Sequence, residues 1–410
     1  MLVEAGPDVG AGTSKANTAL LHTGFDTKPG TLEAKLVARG NLLLEQYASR
    51  VCIPVARIGA LLVAWSEEQL AAFPEIVERA HANGYSKIRE LALDELYARE
   101  PKLGAGAYGA LEIPDEGIVC PFTTPLAYAT EAVLAGCDLR LNTRVTGIRK
   151  HDGGFHIETT GGELGARFLV NAAGLYADEL DRILGYDRFT VTPRRGELIV
   201  FDKLARGLLN HIVLAVPTAT TKGVLVAPTV FGNVIVGPTA EDAERKDDTS
   251  STEKGLAHLR AEAQLILPEL LGHEVTAVYV GLRAATEHGD YQIHADHGYV
   301  CVGGIRSTGL TASLAIAEHV RELLAVERRQ DLPELRMPNI GELAPRPYEQ
   351  GGHIVCFCER VTLGEIEQAL ASTIPPVDPD GLRRRTRVLM GRCQGFYCGA
   401  RVRALLQEAR

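Results

Sequence analysis

The sequence predicts an α/β protein, α+β overall, in which a domain of strand–glycine–helix units is interleaved with a second domain on a mixed or antiparallel sheet. Three observations lead to this fold class. Near both ends of the first 330 residues, a short apolar strand runs through a glycine-rich turn into a long helix. Residues 190–295 are rich in strand patterns, and a proline-rich stretch precedes a small cysteine-bearing domain at the end of the chain.

Length and composition are those of a globular protein. The chain has 410 residues, of which 46% are hydrophobic and 23% charged, enough for two or three domains with a sizeable core. Its net charge of -9 argues against nucleic acid or an anionic membrane as the main partner. No stretch approaches about 18 uninterrupted apolar residues, and because the opening residues lack the basic and apolar regions of a signal peptide we expect none. We therefore expect a cytoplasmic protein without direct membrane insertion and with no nucleic acid partner.

The first element is a short strand that Glu4 closes, followed by a loop rich in glycine, serine and threonine and then by the helix in PGTLEAKLVARGNLLLEQYA. An acidic residue at the end of such a strand is typical of the second strand of a dinucleotide-binding βαβ unit, where it accepts hydrogen bonds from ribose hydroxyls. The G-x-G-x-x-G turn that normally lies about 20 residues upstream is not in the sequence. The loop GAGTSKAN also lacks the spacing of a triphosphate-binding loop, because Lys15 follows Ser14.

The middle of the chain alternates between the two domains. Residues 50–115 mix short strands with acidic helices, and EEQLAAFPEIVERAHANG has the spacing of an amphipathic helix. Residues 118–188 predict a helix, a hairpin, and a strand that ends in NAAG before another helix. The strands of the large sheet are predicted in GELIVF, HIVLAV, GVLVAPTVFGNVIVGPT and EVTAVYVGLRAAT.

The clearest strand–turn–helix junction is YVCVGGIRSTGLTASLAIAEHV. Gly304, Gly309 and Thr311 place free backbone N–H groups at the start of the helix that follows the strand. A helix N-terminus of this kind stabilises negative charge, including charge that develops on a bound ring system. The junction therefore predicts a place where an anionic group meets the backbone.

The end of the chain carries the most specific pattern. Four of the eight cysteines fall in the last 55 residues, as CFC (Cys356, Cys358) and CQGFYC (Cys393, Cys398). Four thiolates suit a [2Fe–2S] cluster, and a structural zinc site is the alternative. Disulfides are rare in the cytoplasm. The same region has a run of arginines, which predicts either a solvated helix face or positive charge that offsets an anionic cluster: Arg383, Arg384, Arg385, Arg387 and Arg392.

Together these segments resemble the FAD-dependent oxidoreductases of the D-amino-acid-oxidase superfamily. Within it, the chain is most similar to the glycerol-3-phosphate dehydrogenase large-subunit type, which carries a C-terminal bacterioferritin-associated-ferredoxin-like [2Fe–2S] domain. The resemblance covers nearly the whole chain. It is carried by GTSKANTALLHTGFDTKPGTLEAKL, NAAG, GLRAAT and GIRSTGLTASLAIAEHV, and in the tail by CFCERVTLGEIEQAL and TRVLMGRCQGFYC.

The resemblance implies a Rossmann-like FAD-binding domain, a substrate domain and a small iron–sulfur domain. The FAD-binding domain would comprise residues 1–48, 118–188 and 296–330, the substrate domain 49–117 and 189–295, the linker 331–352 and the [2Fe–2S] domain 353–410. The family begins with a strand, a G-x-G-x-x-G turn and a helix, which this sequence lacks. We expect that the start codon was assigned too late or that the gene is truncated, so that a pyrophosphate contact and a central strand are missing.

The resemblance also implies which residues contact the cofactor. Glu4 would bind the adenosine ribose, Val145 would meet the adenine through its backbone, and Ala173 and Gly174 would pack close to the cofactor. The residues lining the approach to the pyrophosphate and flavin would be Thr13, Ser14 and Asn17. The residues around the isoalloxazine would be Gly304, Thr308, Gly309, Leu310 and Thr311.

Two further residues are expected to be catalytic. His22, in LLHTGF, would lie at the reactive face of the flavin as base, orienter or ring contact, with a packed structural histidine as the alternative. Arg283, in GLRAAT, would bind a substrate phosphate or carboxylate through a bidentate fork. Arg306 and Tyr291 are additional substrate-binding candidates.

The implied reaction is the oxidation of a small anionic alcohol, with glycerol 3-phosphate favoured. A hydride would pass to the flavin, and the cluster would relay electrons to an accepting partner subunit, which could bring the protein to the inner membrane. Alternatives of similar chemistry are a 2-hydroxy acid such as 2-hydroxyglutarate and an amine or opine dehydrogenase subunit. Alternatives of another class are a flavin-free electron-transfer or interaction subunit and a zinc-stapled binding module.

Overall fold

A computed structural model describes residues 1–217, 223–342 and 352–409. Within this part of the chain there are eleven α-helices. In chain order they are α1 (Leu32–Val51), α2 (Glu67–Ala71), α3 (Phe73–Ala82), α4 (Leu93–Arg99), α5 (Thr123–Leu134), α6 (Ala177–Ile183), α7 (Glu253–Ile266), α8 (Gly309–Leu323), α9 (Leu363–Leu370), α10 (Pro379–Thr386) and α11 (Gly399–Glu408).

The strands of the same described residues form six sheets. In chain order the strands are β1 (Leu2–Val3), β2 (Leu20–Leu21), β3 (Val55–Arg57), β4 (Ala60–Ala64), β5 (Arg89–Leu91), β6 (Gly109–Ile113), β7 (Gly117–Val119), β8 (Leu139–Arg140), β9 (Val145–His151), β10 (Gly154–Thr159), β11 (Gly162–Ala166), β12 (Leu169–Asn171), β13 (Thr192–Phe201), β14 (Ile212–Ala215), β15 (Leu225–Pro228), β16 (Val234–Gly237), β17 (Glu241–Asp242), β18 (Val275–Ala285), β19 (Gln292–Asp296), β20 (Tyr299–Gly303), β21 (Ile354–Cys356) and β22 (Val361–Thr362).

The largest sheet has nine strands in the order β17-β13-β16-β15-β14-β4-β6-β5, with β18 paired to β13. All its pairs are antiparallel except β14 with β4, so the predicted mixed sheet is confirmed. Alternate residues of a strand point to opposite faces of the sheet, and both faces of this sheet are buried. Leu61 and Val63 of β4 pack in the cluster that includes α7, whereas Ala60 and Leu62 pack with α3 on the other face.

The predicted strand–glycine–helix units contain two short pairs of parallel strands. Strand β1 pairs with β8, and β12 pairs with β20, which continues through the predicted turn into α8. Helix α1 packs along α8 so closely that a Cβ at Gly40 would lie 2.4 Å from the carbonyl oxygen of Thr311. A glycine is therefore required at position 40 for the two helices to meet at the start of α8.

One segment differs from its sequence-based prediction. The single amphipathic helix expected in EEQLAAFPEIVERAHANG is divided into α2 and α3 at Ala72, because Pro74 has no N–H to donate to the preceding turn. The described part of the linker expected at 331–352, residues 331–342, has no helix or strand and packs against the rest of the protein. Leu335 and Met337 are buried, and the Met337 N–H donates to the Val51 carbonyl at 2.8 Å.

The last 57 described residues, 353–409, are called the tail domain below. It has its own apolar core, contributed by β21, β22 and helices α9 to α11. Helix α9 begins with a reciprocal capping box between Thr362 and Glu365. Helix α10 begins at the Asp378 cap and Pro379, and it ends where Arg387 takes the left-handed conformation with φ of 72°.

Candidate active site and cluster-binding site

His22 faces a buried carboxylate that the sequence did not single out. It follows β2, which pairs with β7, and Glu116 immediately precedes β7. One carboxylate oxygen of Glu116 accepts from the Thr23 N–H at 2.6 Å and from its hydroxyl at 2.8 Å. The other oxygen, Oε2, is buried and lies 3.3 Å from Nδ1 of His22. Because a buried carboxylate oxygen needs a donor, this geometry favours a proton on Nδ1 and leaves Nε2 for another partner.

The backbone of His22 is fixed from two further directions. Its N–H donates to the Thr311 hydroxyl at 3.1 Å, and its carbonyl accepts from the Asn41 amide at 2.7 Å. Thr311 lies in the first turn of α8, where the cap residue Thr308 makes no side-chain hydrogen bond to the helix. His22 is therefore held at the open N-terminus of α8, where the sequence predicted an anionic group.

Arg306 and Tyr291 belong to a hydrogen-bonded network in front of α8. The Tyr291 hydroxyl lies 2.6 Å from the Thr308 hydroxyl, which donates to Glu33 at 2.7 Å. Arg306 donates to the same carboxylate at 2.9 Å. Burial, followed by the charge of Glu33, raises the pKa of Tyr291. Since Arg306 is paired with Glu33, its contact with a substrate stays a prediction, as does that of Tyr291.

Arg283 is half-buried on β18 and has no carboxylate partner among the residues that the structure describes. Its guanidinium donates to the Thr239 carbonyl at 3.2 and 3.3 Å. Burial, together with the positive charge of Arg194, lowers the pKa of Arg283 to about 10. Arg194 is itself paired with Asp242 at 2.7 Å. A half-buried cation that has no carboxylate partner in the described part of the chain favours the binding of an anion at this point.

The loop predicted to approach the cofactor is built against β18. The Thr13 hydroxyl donates to the Leu282 carbonyl at 3.0 Å, and the Tyr279 hydroxyl donates to the Asn17 carbonyl at 2.7 Å. Ser14 is exposed and accepts from the Asn17 amide through its carbonyl at 2.8 Å. The loop thus runs beside the strand that carries Arg283, which brings two predicted sites of distant sequence together.

The other predicted cofactor contacts leave room for a ligand. Glu4 follows β1, and its carboxylate accepts from the Gly6 N–H at 2.7 Å. Val145 begins β9, while Ala173 and Gly174 follow β12. A Cβ at Gly174, as at Gly12, would meet no atom within 4 Å. The remaining predicted contacts lie at the start of α8 or just before it: Gly304, Thr308, Gly309, Leu310 and Thr311. The open backbone at Gly12 and Gly174 and the uncapped N-terminus of α8 fit an anionic dinucleotide.

The four predicted metal ligands lie in the tail domain as two pairs, and among the described residues no three cysteine, histidine or acidic side chains are grouped closely enough to hold a metal ion. Cys356 is within hydrogen-bonding reach of Cys398, and Cys358 of Cys393. Burial raises the pKa of the Cys356 thiol to about 11. Burial acts in the same direction on Cys393, but backbone N–H groups, that of Tyr397 foremost, bring its pKa below the usual value. Thiolates surrounded by N–H donors fit the ligand set of an iron–sulfur cluster.

The arginine run forms buried ion pairs, which neither of the two sequence-based alternatives described. Arg384, Arg385 and Arg387 are buried rather than solvated, and their partners are carboxylates. Both Arg384 and Arg385 donate to Asp8 in the loop after β1. Arg387 pairs with Glu359 at 2.8 Å. The sequence could not show this, because Asp8 lies at the opposite end of the chain.

Further contacts join the tail domain to the rest of the protein. Arg387 lies 4.1 Å from the centre of the Phe231 ring and donates to Asn233 at 3.2 Å. Lys203 pairs with Glu359 at 2.7 Å. The tail domain is therefore fastened to the rest of the protein through buried ion pairs. Arg383 and Arg392 are the two residues of the run that remain exposed.

Comparison with known proteins matches two families to two parts of the chain. A family described as "FAD dependent oxidoreductase" matches residues 1–323, and one described as "BFD-like [2Fe-2S] binding domain" matches residues 354–408. The chain therefore belongs to the FAD dependent oxidoreductase family, and it carries a [2Fe–2S] domain at its end. The predicted resemblance, fold class, enzyme class and cofactors, FAD and a [2Fe–2S] cluster, are confirmed.

Particular relatives share most of the chain. A glycerol 3-phosphate dehydrogenase of Caloramator mitchellensis is 33% identical over 99% of this chain and 88% of its own. The structure of reduced L-α-glycerophosphate oxidase from Mycoplasma pneumoniae, with FAD bound, superposes with a TM-score of 0.75 at 30% identity. The superposition covers 84% of this chain and 92% of that one. An L-2-hydroxyglutarate dehydrogenase of Escherichia coli K12 is 30% identical over 56% of this chain and 55% of its own.

One negative finding concerns the membrane. No helix among residues 1–217, 223–342 and 352–409 is both long and apolar enough to cross a bilayer.

Proposed function

We propose that this protein is a dehydrogenase that oxidises a small anionic alcohol, with glycerol 3-phosphate favoured, and that electrons leave through the [2Fe–2S] cluster. The observation that carries the proposal is the half-buried guanidinium of Arg283, which has no carboxylate partner among the described residues and lies on the strand beside the loop with Thr13 and Asn17. A phosphate or carboxylate on the substrate would supply the missing counter-charge. The printed names of the two glycerol phosphate relatives support a phosphate.

His22 is the proton acceptor in this proposal. With Nδ1 directed at Glu116, Nε2 is available to take the proton of the substrate hydroxyl. Bound FAD would supply the hydride acceptor for the carbon that carries this hydroxyl, and Cys356, Cys358, Cys393 and Cys398 would hold the [2Fe–2S] cluster that accepts electrons singly. Glu116 balances the positive charge that His22 acquires, since it is a buried carboxylate facing the ring.

The interface of the tail domain supports electron exit through the cluster. Asp8 and Lys15 lie between β1 and β2, in the same loop as the predicted cofactor contacts Thr13 and Asn17. Both residues contact α10. Asp8 does so through Arg384 and Arg385, and Lys15 through Asp380 at 2.8 Å. The tail domain is thereby held against the loop that is proposed to approach the flavin. In this proposal the FAD-binding, substrate and iron–sulfur domains have the boundaries expected from the sequence.

The test is an anaerobic titration of the purified holoprotein with a panel of substrates. Glycerol 3-phosphate, L-2-hydroxyglutarate and a secondary-amine amino acid are added separately, and bleaching of the flavin absorbance is followed. We expect complete bleaching by glycerol 3-phosphate, followed by the spectrum of a reduced cluster. No bleaching by any of the three compounds would contradict the dehydrogenase assignment. Absence of flavin from the purified protein would instead favour an electron-transfer or interaction subunit.

A second candidate substrate is L-2-hydroxyglutarate. A guanidinium binds carboxylate and phosphate with the same fork geometry, so Arg283 alone does not separate the two. The 2-hydroxyglutarate relative matches a little over half of the chain, whereas the glycerol 3-phosphate dehydrogenase matches nearly all of it. Bleaching by L-2-hydroxyglutarate alone would establish this second candidate.

A further inference from the structure

The loop between β1 and β2 contains three of the predicted cofactor contacts, Thr13, Ser14 and Asn17. Its regular structure is limited to one helical turn, Thr13–Lys15. At its centre lies VGAGTS, residues 9–14, which we call the glycine segment. Gly10 takes a φ of 65° there, and a Cβ at Gly12 would meet no atom within 4 Å. Because a glycine-rich segment has many accessible conformations, the one it adopts depends on the elements that hold it.

Strand β18 holds the second half of this loop. A Cβ at Gly281 would lie 1.9 Å from the carbonyl oxygen of Ala16, so only a glycine on β18 allows this close approach. On the same strand, the Tyr279 hydroxyl donates to the next carbonyl, that of Asn17. Together with the Thr13 hydroxyl, which donates to the β18 backbone, these contacts fix the chain at the end of the glycine segment and after it.

Helix α10 of the tail domain holds the chain just before the glycine segment. Asp8 is buried and accepts from the guanidinium groups of Arg384 and Arg385. A Cβ at Gly381 would lie 2.9 Å from Oδ2 of Asp8, so α10 reaches this carboxylate because position 381 carries no side chain. The other oxygen of Asp8 also accepts from the Val9 N–H, at 2.9 Å. The first residue of the glycine segment is thus oriented by a carboxylate that the tail domain holds.

The same helix holds the residue that follows the glycine segment. Lys15 donates to the Asp380 carboxylate at 2.8 Å, and Arg384 donates to that carboxylate as well as to Asp8. A continuous chain of ion pairs therefore runs from Lys15 through Asp380 and Arg384 to Asp8. Both ends of the glycine segment are tied to α10, although α10 lies more than 360 residues further along the chain.

We propose that α10 completes the FAD site by holding the glycine segment in the conformation that receives the cofactor. The inference rests on the predicted cofactor contacts of this loop, and it requires neither the proposed substrate nor electron exit through the cluster. A loop that is already ordered loses less conformational entropy on binding, so FAD is held more tightly. By linkage, bound FAD strengthens the docking of the tail domain by the same factor as docking strengthens the binding of FAD.

The experiment measures how tightly the holoprotein holds FAD. The holoprotein is diluted serially, and the fluorescence of released flavin gives the dissociation constant. The variants are Gly381→Ala and Arg385→Gln, which lie in the tail domain and so change no predicted contact with FAD. Gly381→Ala keeps every charge and places a methyl group against Asp8, and α10 itself should stay helical because alanine is the better helix former. Arg385→Gln removes one of the two cations at Asp8.

We expect both variants to raise the dissociation constant for FAD about tenfold, since coupling between two sites is commonly about 5- to 150-fold. Two control variants should hold FAD like the parent. Arg403→Gln changes an exposed arginine of α11. Cys393→Ser removes a predicted cluster ligand but none of the contacts between α10 and the loop, so it separates the cluster from the docking of the helix.

The reverse coupling is measured by hydrogen exchange. Backbone amides of residues 379–386, which form α10, should exchange faster in the parent protein after FAD is removed than in the holoprotein. In Gly381→Ala the same amides should exchange at rates that depend less on FAD. This readout involves no turnover.

Three results would overturn the inference. One is a dissociation constant for FAD that neither tail-domain variant changes, because the loop would then keep its conformation without α10. Another is hydrogen exchange in α10 that is the same with and without FAD. The third is a Cys393→Ser protein that loses FAD as readily as Gly381→Ala, which would assign the effect to the cluster. Since no substrate is added, failure of the substrate titration leaves these outcomes readable.

Discussion

Arg385 donates to both carboxylate oxygens of Asp8, at 2.7 and 2.8 Å, and both side chains are almost completely buried. The pair joins the first loop of the chain to α10 of the tail domain. Arg384 adds a third contact to the same carboxylate at 2.6 Å. Because this loop is the one expected to approach the cofactor, the ion pair connects the predicted flavin site with the cluster-bearing domain.

Replacing Asp8 by Asn should loosen the tail domain. The substitution leaves Arg384 and Arg385 buried without a full counter-charge, and breaking a buried pair in this way costs about 3–5 kcal/mol. We expect a separate, earlier unfolding transition of the tail domain by calorimetry and faster proteolysis near residues 331–342. Asp247→Asn, which removes an exposed pair with Arg245, is the control and should have little effect. An unchanged transition in Asp8→Asn would contradict the role of the pair.

Acid should weaken the same interface. Burial acts to raise the pKa of Asp8, but Arg385 and then Arg384 bring it below its ordinary value. Burial acts to raise the pKa of Glu359, but Arg387 and Lys203 bring it below its ordinary value of 4.5. A carboxylate with a lowered pKa stabilises the folded state above its unfolded pKa, and this contribution is lost as pH falls through the folded pKa.

The pH window of this effect is set by the same shifts. The pKa of Asp380 goes from 3.8 to about 2, through Lys15 and the arginines of α10 acting against burial. We therefore expect the tail-domain transition to move to lower temperature between about pH 4.5 and pH 2 and to be insensitive to pH from 5 to 7. Calorimetry across this range provides the measurement. A loss of stability above pH 5 would mean that other groups control the interface.

Glu116→Gln should lower the turnover number with little change in KM. The neutral amide no longer balances a positive His22, and it can present a donor in place of the acceptor that Nδ1 faces. In a catalytic triad, loss of the carboxylate that orients the histidine costs up to about 10⁴-fold in kcat. For Glu116→Gln we expect a smaller loss of kcat, about 10²-fold. The measurement is the rate of anaerobic flavin reduction at saturating substrate.

A His22→Ala protein distinguishes positioning of His22 by Glu116 from a general structural role of Glu116. If Glu116 acts through His22, then Glu116→Gln should have no further effect in a His22→Ala protein. Asp115→Asn is the matched control, because Asp115 is the exposed neighbour that pairs with Lys87. Additive losses in the double variant would show that Glu116 acts independently of His22.

Arg283→Gln should raise KM for an anionic substrate about 10²-fold, since a charge-assisted bidentate contact contributes about 1.5–3 kcal/mol. Arg283→Lys should restore part of the affinity because it keeps the charge without the fork. Inhibition of substrate oxidation by inorganic phosphate should weaken in parallel in both variants. Arg245→Gln, at an exposed pair, is the control. A normal KM in Arg283→Gln would remove this residue from the substrate site.

Cys393→Ser should remove the cluster and leave the flavin. The four cysteines are expected to be the complete ligand set, so the loss of one thiolate should abolish the visible absorption and the iron content of the tail domain. Flavin per chain should remain unchanged, because the predicted FAD contacts lie elsewhere. Cys137→Ser, at a half-buried cysteine outside the tail domain, is the control. Zinc in the parent protein by metal analysis would support the alternative metal site.

The sequence by itself determined the general architecture. Local periodicity is enough to predict strands and helices, and the turn before α8 could be predicted because strand, glycine and helix follow each other directly. The tail domain could be recognised because thiolates in two short segments have few uses other than metal binding. The break at Pro74 could also have been predicted, since proline lacks the required N–H.

Only the tertiary structure decided which charges meet. Asp8 with Arg385 and His22 with Glu116 are separated by long stretches of chain, and local patterns carry no information about such pairs. Burial requires that a charge find a partner, but it does not specify which one, and folding supplies that choice. The same holds for Arg283, whose lack of a carboxylate among the described residues became visible only when its neighbours on β13 and β18 were in place.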